Sequence, residues 1–211
     1  MTNEEIFEIL YSEELYDPGE PSLMALQLSC LEPMEAFNRT DSSPEGMKRR
    51  EELLPRMLGA AGKGCYIQPP FFANWGGRNM YLGDHVYANA GLTAVDDGKI
   101  TIGDHVMLGP GVTLATAIHP ISPLLRKYEL QYNLPITIGS GVWIGAGVII
   151  QGGVTIGENT VIGAGSVVTK DIPANVIAFG SPCRVVRPIT EEDLTTYDHG
   201  RKIPERFRDL T

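Results

Sequence analysis

The sequence is poor in cysteine, and its three cysteines, Cys30, Cys65 and Cys183, lie far apart in 211 residues. An odd, scattered set with no metal-ligand spacing argues against both a disulfide framework and a zinc site. We therefore predict that these thiols are buried or idle, and that the protein requires no metal.

Long hydrophobic runs are also missing, since no apolar segment reaches the roughly 18 residues that a membrane span needs. The N-terminal stretch MTNEEIFEIL is acidic where a signal peptide would be basic. We therefore expect no membrane association and a cytoplasmic location. Basic residues are outnumbered, and the formal net charge of −9 disfavours nucleic acid as the main partner. Arginine and lysine do cluster between 184 and 208, where an anionic small molecule could bind.

What the sequence does contain is a repeat of six residues. An aliphatic residue returns at every sixth position, and four of these six residues are followed by glycine. They are Ile138, Ile144, Ile150, Ile156, Ile162 and Val168. A small or β-branched residue follows each of them after four positions: Val142, Val148, Val154, Thr160, Ser166 and Ile172. The same frame occurs earlier at Ile102, Leu108 and Leu114.

A period of six excludes the common regular structures. Residues six apart on an α-helix point about 240° away from each other, and an ordinary strand alternates every two residues without regular glycine. We interpret the repeat as a solenoid of short strands and tight turns, in which the recurring aliphatic side chain points inward. Each such side chain contributes roughly 1.5–3 kcal/mol when buried, and only stacked coils can build a core.

Two nearly identical pieces, LGDHV at 82–86 and IGDHV at 102–106, support a coil of about eighteen residues. They lie 20 residues apart, and the Asp96-Asp97-Gly98 turn can absorb the two extra residues. His85 and His105 would then stack on the same outer edge. We interpret them as solvent-facing turn residues, although such a pair could also hold a metal.

The segments outside the repeat have a different sequence pattern. Residues 1–60 show apolar residues at helical spacing, and Ser43-Pro44 predicts a helix N-terminus, whereas Pro33 and Pro55 are expected to break or kink helices. We expect a helical segment at 1–60, the coil at 61–188 and a C-terminal tail at 189–211, in which ITEEDLTTY predicts a short capped helix. Helices at both ends would cap the open coil.

The repeat stops directly after His119 and resumes at Ile136. Residues 120–135 therefore form a loop expelled from one corner of the coil, and Pro120, Pro123 and Pro135 predict that it has no regular structure. Long loops on a rigid scaffold often carry function, but a solenoid also tolerates an inert insertion. The residues alone leave both interpretations open for His119.

Several motifs change this balance. The sequence contains ELYDP (14–18), YANAGLTAVDDGKITIGDHVMLGPGV (87–112), HPISPLLRK (119–127), PITIGSGVWIGAGVII (135–150) and VTIGENTVIGAGSVVTKDIPANVIAFGSPCRVVR (154–187). Together they resemble, in order and with few gaps, the galactoside and maltose O-acetyltransferases. The resemblance implies a left-handed parallel β-helix, an enzyme that transfers an acetyl group from acetyl-coenzyme A to a sugar hydroxyl, and a homotrimer with sites between subunits.

The resemblance also assigns residues to the reaction. His119 becomes the general base, which suits a side chain that titrates near neutral pH, and no covalent acyl-enzyme is required. Asn89, Asp97 and Asp17 fall on the positions that hold the sugar, and Asn89 is also expected to stabilise charge near the attacking oxygen. As residues of ordinary turns, Asp97 and Asp17 also have a purely structural explanation.

Two positions depart from the family pattern. Asn74 stands where maltose-type relatives usually have aspartate and galactoside-type relatives have serine, and Gln131 stands where an apolar residue can pack on the sugar. Both are expected to contact the acceptor. The sequence therefore does not identify the acceptor, the hydroxyl that is modified, or whether the role is detoxification or metabolism.

The resemblance places coenzyme A in a groove beside the coils. The residues assigned to it are Trp143, Ala146, Ala164, Thr169, Lys170, Arg184 and Arg187. Small residues admit the pantetheine arm, and cations suit its phosphates, although each cation alone could be a solubilising surface charge. Trp143 and the 120–135 loop are also candidates for the subunit interface, and packing at a coil corner is an equal explanation for Trp143.

Other functions fit the coil less well. An antibiotic O-acetyltransferase on the same scaffold is the main alternative, because the two departures leave room for another alcohol. A γ-type carbonic anhydrase would need three converging histidines, whereas the chain has four in all, and His199 lies outside the coil. A serine acetyltransferase has a much larger N-terminal helical region. A non-catalytic scaffold would not explain the HP, YAN and VTKDIP motifs.

Overall fold

The six-residue repeat folds as a coil of very short parallel strands in a computed structural model, which describes residues 1–210. In chain order the strands of the coil and its inserted loop are β1 Ala60–Ala61, β2 Tyr66–Ile67, β3 Phe72–Ala73, β4 Met80–Leu82, β5 Tyr87–Ala88, β6 Thr93–Val95, β7 Ile100–Ile102, β8 Met107–Leu108, β9 Thr113–Ala115, β10 Ala117–Ile118, β11 Tyr132–Asn133, β12 Ile136–Ile138, β13 Trp143–Ile144, β14 Ile149–Gln151, β15 Thr155–Ile156, β16 Val161–Ile162, β17 Val167–Val168, β18 Val176–Phe179 and β19 Arg184–Pro188.

Successive strands are distributed over three sheets, which form the faces of a prism. The first sheet has the order β1-β4-β7-β12-β15, the second β2-β5-β8-β13-β16-β18-β19, and the third β3-β6-β9-β14-β17. Within these three sheets every pairing is parallel except that of β18 with β19. The register aligns Leu82 with Ile102, so the two similar pieces of sequence do stack.

The recurring side chains point into the prism, as predicted. All twelve repeat residues between Ile138 and Ile172 are at most 5% exposed. Buried hydroxyls among them are satisfied locally, since Thr160 Oγ1 donates to the Pro173 carbonyl at 2.7 Å. The tight turns leave no room for larger residues, because a Cβ added at Gly145 would lie 2.5 Å from the backbone nitrogen of Ala164. The repeat thus encodes one continuous column of apolar contacts.

The predicted stack of His85 and His105 is present. Both residues occupy the left-handed backbone region, with φ of 56° and 55°, and their rings are nearly parallel with centroids 4.9 Å apart. A left-handed conformation is uncommon outside glycine and asparagine. Gly141 and Asn159 adopt it at the equivalent turn of later coils. The two histidines are therefore turn residues at one exposed edge of the prism.

Two other corners of the prism matter for the site. The glycine corner joins the second sheet to the third and contains residues 89–92, 109–112, 145–148 and 163–166. The irregular corner joins the third sheet to the first. In a late coil only residues 152–154 cross this corner, but in the three earlier coils it is widened by residues 74–79, 96–99 and 116–135. All large departures from the repeat therefore meet at one edge.

Helices cover the N-terminal end of the prism. Those at this end are α1 Asn3–Tyr11, α2 Pro21–Asn38 and α3 Pro44–Met57, whereas the short helices α4 Pro123–Arg126 and α5 Glu191–Thr195 lie in the inserted loop and after the coil. Thr2 and Glu5 form a capping box on α1, and Ser43 caps α3 as predicted, with Pro44 at the first turn. Phe37, Leu53 and Met57 are buried against the first coil and extend its core.

The expected breaks at Pro33 and Pro55 are wrong, because α2 and α3 continue through these prolines. Proline removes one helix hydrogen bond. Around Pro33 the helix is anchored by Leu23 and Phe37, which are 3% and 0% exposed. Pro55 lies in the last turn of α3, which ends at Met57. Tertiary packing therefore offsets the local preference.

The chain after the coil folds back on it. Strand β19 runs antiparallel to β18, and Thr190 forms the predicted capping box with Asp193 of α5. The remaining elements are a hairpin of β20 Thr196–Tyr197 with β21 Arg201–Lys202 and a 3-10 helix at Glu205–Leu210. In the described part of the chain, no helix combines the length and apolar character that crossing a membrane requires.

Candidate active site

The inserted loop begins with a short antiparallel pair rather than with irregular chain. Ala117 pairs with Asn133 and Ile118 with Tyr132, and Pro123 starts the short helix α4. The expectation that prolines exclude regular structure from the loop is therefore wrong. Proline is accommodated at the first helical turn, where its missing N–H has no intrahelical partner to lose. The paired strands fix the two ends of the loop on the irregular corner.

His119 directly follows this pair. Its Nδ1 lies 2.9 Å from the carbonyl oxygen of Leu130 on the returning arm of the loop. A carbonyl oxygen only accepts hydrogen bonds, so Nδ1 is the donor, and in the neutral imidazole Nε2 carries the lone pair. The side chain is exposed in the single chain. The loop base thus orients the imidazole through Nδ1 and leaves Nε2 without a hydrogen-bond partner in the described chain.

Asp97 lies at the centre of the irregular corner. Its Oδ2 accepts a hydrogen bond from Asn74 Nδ2 at 2.9 Å, and its Oδ1 accepts one from Gln131 Nε2 at 3.1 Å. Asp97 and Gln131 are each 6% exposed. The two residues that depart from the family pattern therefore both bind the same carboxylate.

Tyr16 and Asn133 complete this polar cluster. The Tyr16 backbone pairs with that of Gln131 through N–H···O bonds of 2.9 and 3.1 Å, and the Tyr16 hydroxyl accepts hydrogen bonds from the side-chain amides of Gln131 and Asn133. Burial raises the pKa of Tyr16 to about 12, so the phenol stays neutral. Asp17 is exposed at the rim, where its Oδ1 accepts from the Gly19 N–H at 2.8 Å.

Asp96 supports the cluster from behind. This fully buried side chain accepts hydrogen bonds from the backbone N–H groups of Trp75, Gly77 and Asn79 at 2.7, 3.1 and 3.4 Å. Burial raises the pKa of Asp96 to about 7, against the three N–H donors that favour the charged form. Asp96 fixes the 74–79 turn, and this turn places Asn74 beside Asp97.

A groove of about 460 Å³ runs along the glycine corner. Its lining residues include Tyr87, Asn89, Met107, Pro110, Trp143, Ala146 and Ala164. Ala146 and Ala164 contribute only a methyl group each to the lining, and Met107 and Trp143 beside them are half-exposed. The groove can accept a long, narrow, mainly apolar ligand.

Asn89 lies in this groove with a defined orientation. Its Oδ1 accepts a hydrogen bond from the Ala90 N–H at 2.7 Å. Since a backbone N–H requires an acceptor, the amide oxygen is fixed there and Nδ2 must point away. Within residues 1–210, this nitrogen donates to no protein group. It can therefore donate to a bound ligand.

The four residues expected near phosphates occupy different places. Arg184 is exposed on β19 and donates to the Cys183 carbonyl at 2.8 Å. Arg187 is held by Asp193 through two bonds of 2.6 and 2.8 Å, and this pairing keeps the pKa of Asp193 well below its usual range. Thr169 and Lys170 are exposed directly after β17, at the irregular corner of a later coil.

One chain therefore carries two separated groups of candidate residues. The irregular corner brings together Asn74, Asp97, Gln131 and His119, with Asp17 at its rim and Thr169 and Lys170 on a later coil. The glycine corner carries Asn89, Trp143, Ala146 and Ala164, with Arg184 near its end. The third sheet separates the two corners, and no hydrogen bond joins His119 to Asn89 in the described chain. A site that uses both groups needs a second copy of the chain.

Several residues of the site were not predicted. Asn133, at the end of β11, was missed although it lies only two residues after the predicted Gln131. Tyr16 carried no signal beyond its place beside Asp17. The roles of Asp96 and Asp193 depend on contacts with Trp75 and Arg187 that no local pattern reveals.

Within residues 1–210, no group of three or more histidine, cysteine, aspartate or glutamate side chains could hold a metal ion. The stacked pair His85 and His105 accordingly has no third ligand of these types in the described structure.

Two family models match the chain. Residues 135–170 match the model described as bacterial transferase hexapeptide (six repeats), and residues 11–62 match the maltose acetyltransferase hexapeptide capping motif. The first covers regular coils. The second covers the end of α1 together with α2 and α3, including Tyr16 and Asp17.

Relatives extend over almost the whole chain. It is 52% identical to the galactoside O-acetyltransferase of Lactococcus lactis over 94% of this chain and 95% of that protein. It is 47% identical to the galactoside O-acetyltransferase of Escherichia coli over 81% of this chain and 82% of that protein. A solved galactoside acetyltransferase in complex with coenzyme A superposes with a TM-score of 0.89 and 41% identity, covering 97% of this chain and all of that one.

Proposed function

Because the chain belongs to the hexapeptide-repeat family of galactoside and maltose O-acetyltransferases, we propose that it transfers the acetyl group of acetyl-coenzyme A to a sugar hydroxyl. The predicted family and left-handed parallel β-helix are confirmed. The chain is an acetyl-coenzyme A-dependent O-acetyltransferase, as predicted. The roles of its individual residues in the reaction belong to the proposal.

The observation that carries the proposed mechanism is the 2.9 Å contact between His119 Nδ1 and the Leu130 carbonyl oxygen. With Nδ1 bonded to Leu130, Nε2 accepts the proton of the sugar hydroxyl as its oxygen attacks the thioester carbonyl carbon. A C–O bond forms, and collapse of the tetrahedral intermediate breaks the C–S bond. The imidazolium then gives its proton to the departing sulfur, which leaves as the free thiol of coenzyme A. No acyl-enzyme forms.

The negative charge on the intermediate needs a donor. Asn89 Nδ2 faces the groove because its Oδ1 is held by Ala90, so it can bond the developing oxyanion or the sugar oxygen. Such a donor is worth up to about 10²–10³ in turnover in related chemistry. Asn89 thereby links coenzyme and acceptor.

The sugar lies at the irregular corner in this proposal. Asp97, Asn74 and Gln131 form a polar floor, and Asp17 at the rim retains acceptor capacity beside its bond to Gly19. Neighbouring sugar hydroxyls donate to these carboxylates. The loop base then sets His119 beside the hydroxyl that reacts.

Coenzyme A occupies the glycine corner. Its pantetheine arm lies over Ala146 and Ala164 beside Trp143, and its phosphates bind Arg184 and Arg187 of the same chain together with Thr169 and Lys170 at the irregular corner of a neighbouring chain. Asp193 leaves Arg187 able to do this. Of the five N–H groups of arginine, Asp193 and Pro188 use those on Nη1 and one on Nη2, so the edge formed by Nε and Nη2 has no partner within the described residues.

We further propose a homotrimer in which each site lies between two chains. This arrangement explains why Asn89 and His119 occupy different corners. The outer face of the second sheet also carries Tyr87, Met107 and Trp143, which are 41–51% exposed, whereas the first sheet shows threonines such as Thr137. An apolar ladder of this kind is typical of a face covered by a neighbour. Three free thiols accord with a cytoplasmic location.

Mixing two inactive variants tests the shared site. His119→Ala and Asn89→Ala are each expected to be nearly inactive. If His119 and Asn89 of different chains form one site, random co-assembly at equal amounts restores roughly a quarter of the sites. Activity would be measured as thiol release from acetyl-coenzyme A, with mass determination of the oligomer as control. Absence of any restored activity in verified mixed trimers would contradict the proposal.

A panel of alcohols tests the acceptor class. Galactosides, glucosides, maltose and chloramphenicol would be compared by kcat/KM at fixed acetyl-coenzyme A. We expect turnover of at least one sugar and little turnover of chloramphenicol, because the floor around Asp97 offers hydrogen-bond acceptors to several neighbouring hydroxyls. Preference for chloramphenicol would instead favour the antibiotic O-acetyltransferase.

A further inference from the structure

We propose that Gln131, oriented by Tyr16 and Asn133, is a specificity-determining residue that selects neutral acceptors with neighbouring hydroxyl donors. This inference rests on the proposed function and defines its substrate class. In place of an apolar surface, Gln131 offers the bound sugar an amide oxygen. That oxygen can accept a hydrogen bond only from a hydroxyl or an amine.

The orientation of the Gln131 amide follows from its neighbours. Its Nε2 lies near three oxygens: Asp97 Oδ1 at 3.1 Å, Asn133 Oδ1 at 3.2 Å, and the Tyr16 hydroxyl. The Asp97 carboxylate is an acceptor only. Rotating the Gln131 amide by 180° would place its oxygen against the Asp97 carboxylate. The hydrogen bonds to Asp97 Oδ1 and Asn133 Oδ1 would then be replaced by repulsive contacts between oxygens.

With the nitrogen fixed, Oε1 of Gln131 must face away from Asp97. In the described chain Gln131 Oε1 accepts no hydrogen bond. Among the described residues, Trp75 Nε1 is the only side-chain nitrogen or oxygen that is both fully buried and without a partner, so Gln131 Oε1 must retain some contact with solvent. Asn74 follows the same logic, because its Nδ2 donates to Asp97 at 2.9 Å. Neither amide oxygen has a hydrogen-bond partner in the described chain, so each can accept from a ligand hydroxyl that reaches it.

The corner consequently presents acceptor oxygens and few donors. Each Asp97 oxygen accepts one amide bond and retains capacity for another, and the amide oxygens of Asn74 and Gln131 add two more acceptors. A sugar that donates from several adjacent hydroxyls satisfies them. A ligand that carries a carboxylate at this place leaves them unpaired and adds like-charge repulsion. We therefore expect the corner to reject uronic acids.

Tyr16 is a positioning residue in this scheme. Its hydroxyl accepts from both Gln131 and Asn133, and its own proton points toward Asn133 Oδ1 at 3.4 Å. Asn133 is in turn anchored to α1 by a 3.0 Å bond to the Leu10 carbonyl. The phenol is the junction that holds both amides in one orientation. Removing the hydroxyl takes one acceptor from each amide, so that Gln131 keeps only Asp97 Oδ1 and Asn133 Oδ1, and Asn133 keeps only the Leu10 carbonyl.

Paired changes in enzyme and sugar test the inference. The best sugar acceptor and its monodeoxy analogues would be compared with wild type, Gln131→Met and Tyr16→Phe. Methionine keeps the length of glutamine and removes its polar groups. We expect one deoxy position to lower kcat/KM about three- to tenfold in wild type, the value of one neutral hydrogen bond, and to lose this penalty in Gln131→Met. Tyr16→Phe should reduce the penalty, and the KM for acetyl-coenzyme A should not change.

Tyr11→Phe is the matched control. It also removes a phenol hydroxyl from the N-terminal segment, but that hydroxyl donates to Asn79 at 2.6 Å and does not touch Gln131. This variant should show the wild-type deoxy pattern. Melting temperatures would show whether each variant folds. If Gln131→Met does not fold, the deoxy pattern of Tyr16→Phe decides the test.

The outcomes distinguish the role of Gln131 from the transferase function. If wild type acetylates sugars but every deoxy penalty persists unchanged in Gln131→Met and Tyr16→Phe, the role of Gln131 is overturned while the transferase function stands. Efficient acetylation of a uronic acid would overturn it as well. If wild type acetylates no sugar at all, the proposed function itself fails.

Discussion

The regular coils between Ile136 and Val168 and the irregular corner of the earlier coils share one frame but do different work. In the regular coils every strand is two or three residues long and each interior position is apolar or a small hydroxyl. At the irregular corner the same frame carries 74–79, 96–99 and 116–135. The comparison shows that the repeat builds a rigid scaffold, whereas the segments that interrupt it carry the polar residues of the candidate site.

Burial of polar groups sharpens this contrast. The buried polar residues of the irregular corner are Asn79, Asp96, Asp97, Thr116, Gln131 and Asn133, whereas the regular coils bury only Thr160 and Ser166 among such residues of the described chain. Buried carboxylates and amides cost stability unless every one is hydrogen-bonded. The apolar column of the regular coils offsets that cost and keeps the cluster in place.

The largest expected effect comes from removing the imidazole at the irregular corner. His119→Ala should lower kcat by about 10²–10⁴, the usual contribution of general-base catalysis. The free energy of unfolding should hardly change, because this side chain is exposed in the single chain and makes one hydrogen bond. Steady-state kinetics and denaturant unfolding would be measured on the same preparation. Near-normal turnover would remove His119 from the mechanism.

The second effect tests the regular coils. Ile150→Ala should reduce the free energy of unfolding by about 2–5 kcal/mol, because the side chain is fully buried and truncation leaves a cavity. Thr137→Ala, on the outer face of the same coil, is the control and should change it by less than about 0.5 kcal/mol. Both would be measured at one protein concentration, since assembly contributes to stability. Equal effects would contradict the division between interior and exterior.

A smaller effect is expected from the arginines proposed to bind the coenzyme. Replacing Arg184 and Arg187 together with alanine should raise the KM for acetyl-coenzyme A about tenfold, since charge-assisted bonds to phosphate are lost. The KM for the sugar should change much less, because neither arginine lies at the irregular corner. Initial rates with each substrate varied in turn measure the split. The reverse pattern would show that these arginines do not hold the coenzyme.

The smallest effect concerns the pH dependence of stability. Since burial raises the pKa of Asp96 to about 7, the folded state favours the protonated carboxyl more than the unfolded state does. The stabilisation that Asp96 gives the folded state through its raised pKa is fully present below pH of about 4 and is lost as the pH rises through about 7. Its slope is at most about 1.4 kcal/mol per pH unit. A carbon-13 NMR titration, assigned with Asp96→Asn, should show this carboxyl titrating near neutrality. Titration near pH of about 4, the ordinary range of aspartate, would contradict the prediction.

The coil could be predicted because the structure of each hexad depends on residues within that hexad and its neighbours. Ile144 and Val148 are buried for reasons visible within a few residues, and the register of Leu82 with Ile102 follows from the repeated pieces. Ser43 and Thr190 were likewise found from local capping patterns. Short-range rules therefore suffice for the scaffold.

The candidate site could be predicted only in part. The resemblance supplied His119, Asp97 and Asn89, but not the hydrogen bonds that orient them. Gln131 and Tyr16 are 115 residues apart, so their contact depends on how the N-terminal segment docks against the loop. The pair of Arg187 with Asp193 arises similarly from the fold-back after the coil. Long-range polar contacts leave no periodic trace in a single sequence.

The way the coil ends has a consequence for self-association. A stack of identical coils is a natural template for endless growth, because its last strands offer unpaired backbone to another copy. Here the chain occupies its own final edges: Ile172 bonds to β15, Gly180 and Cys183 bond to Val167, and β19 reverses direction beside β18. A truncation before residue 172 would expose that template, and discrete particles should give way to filaments.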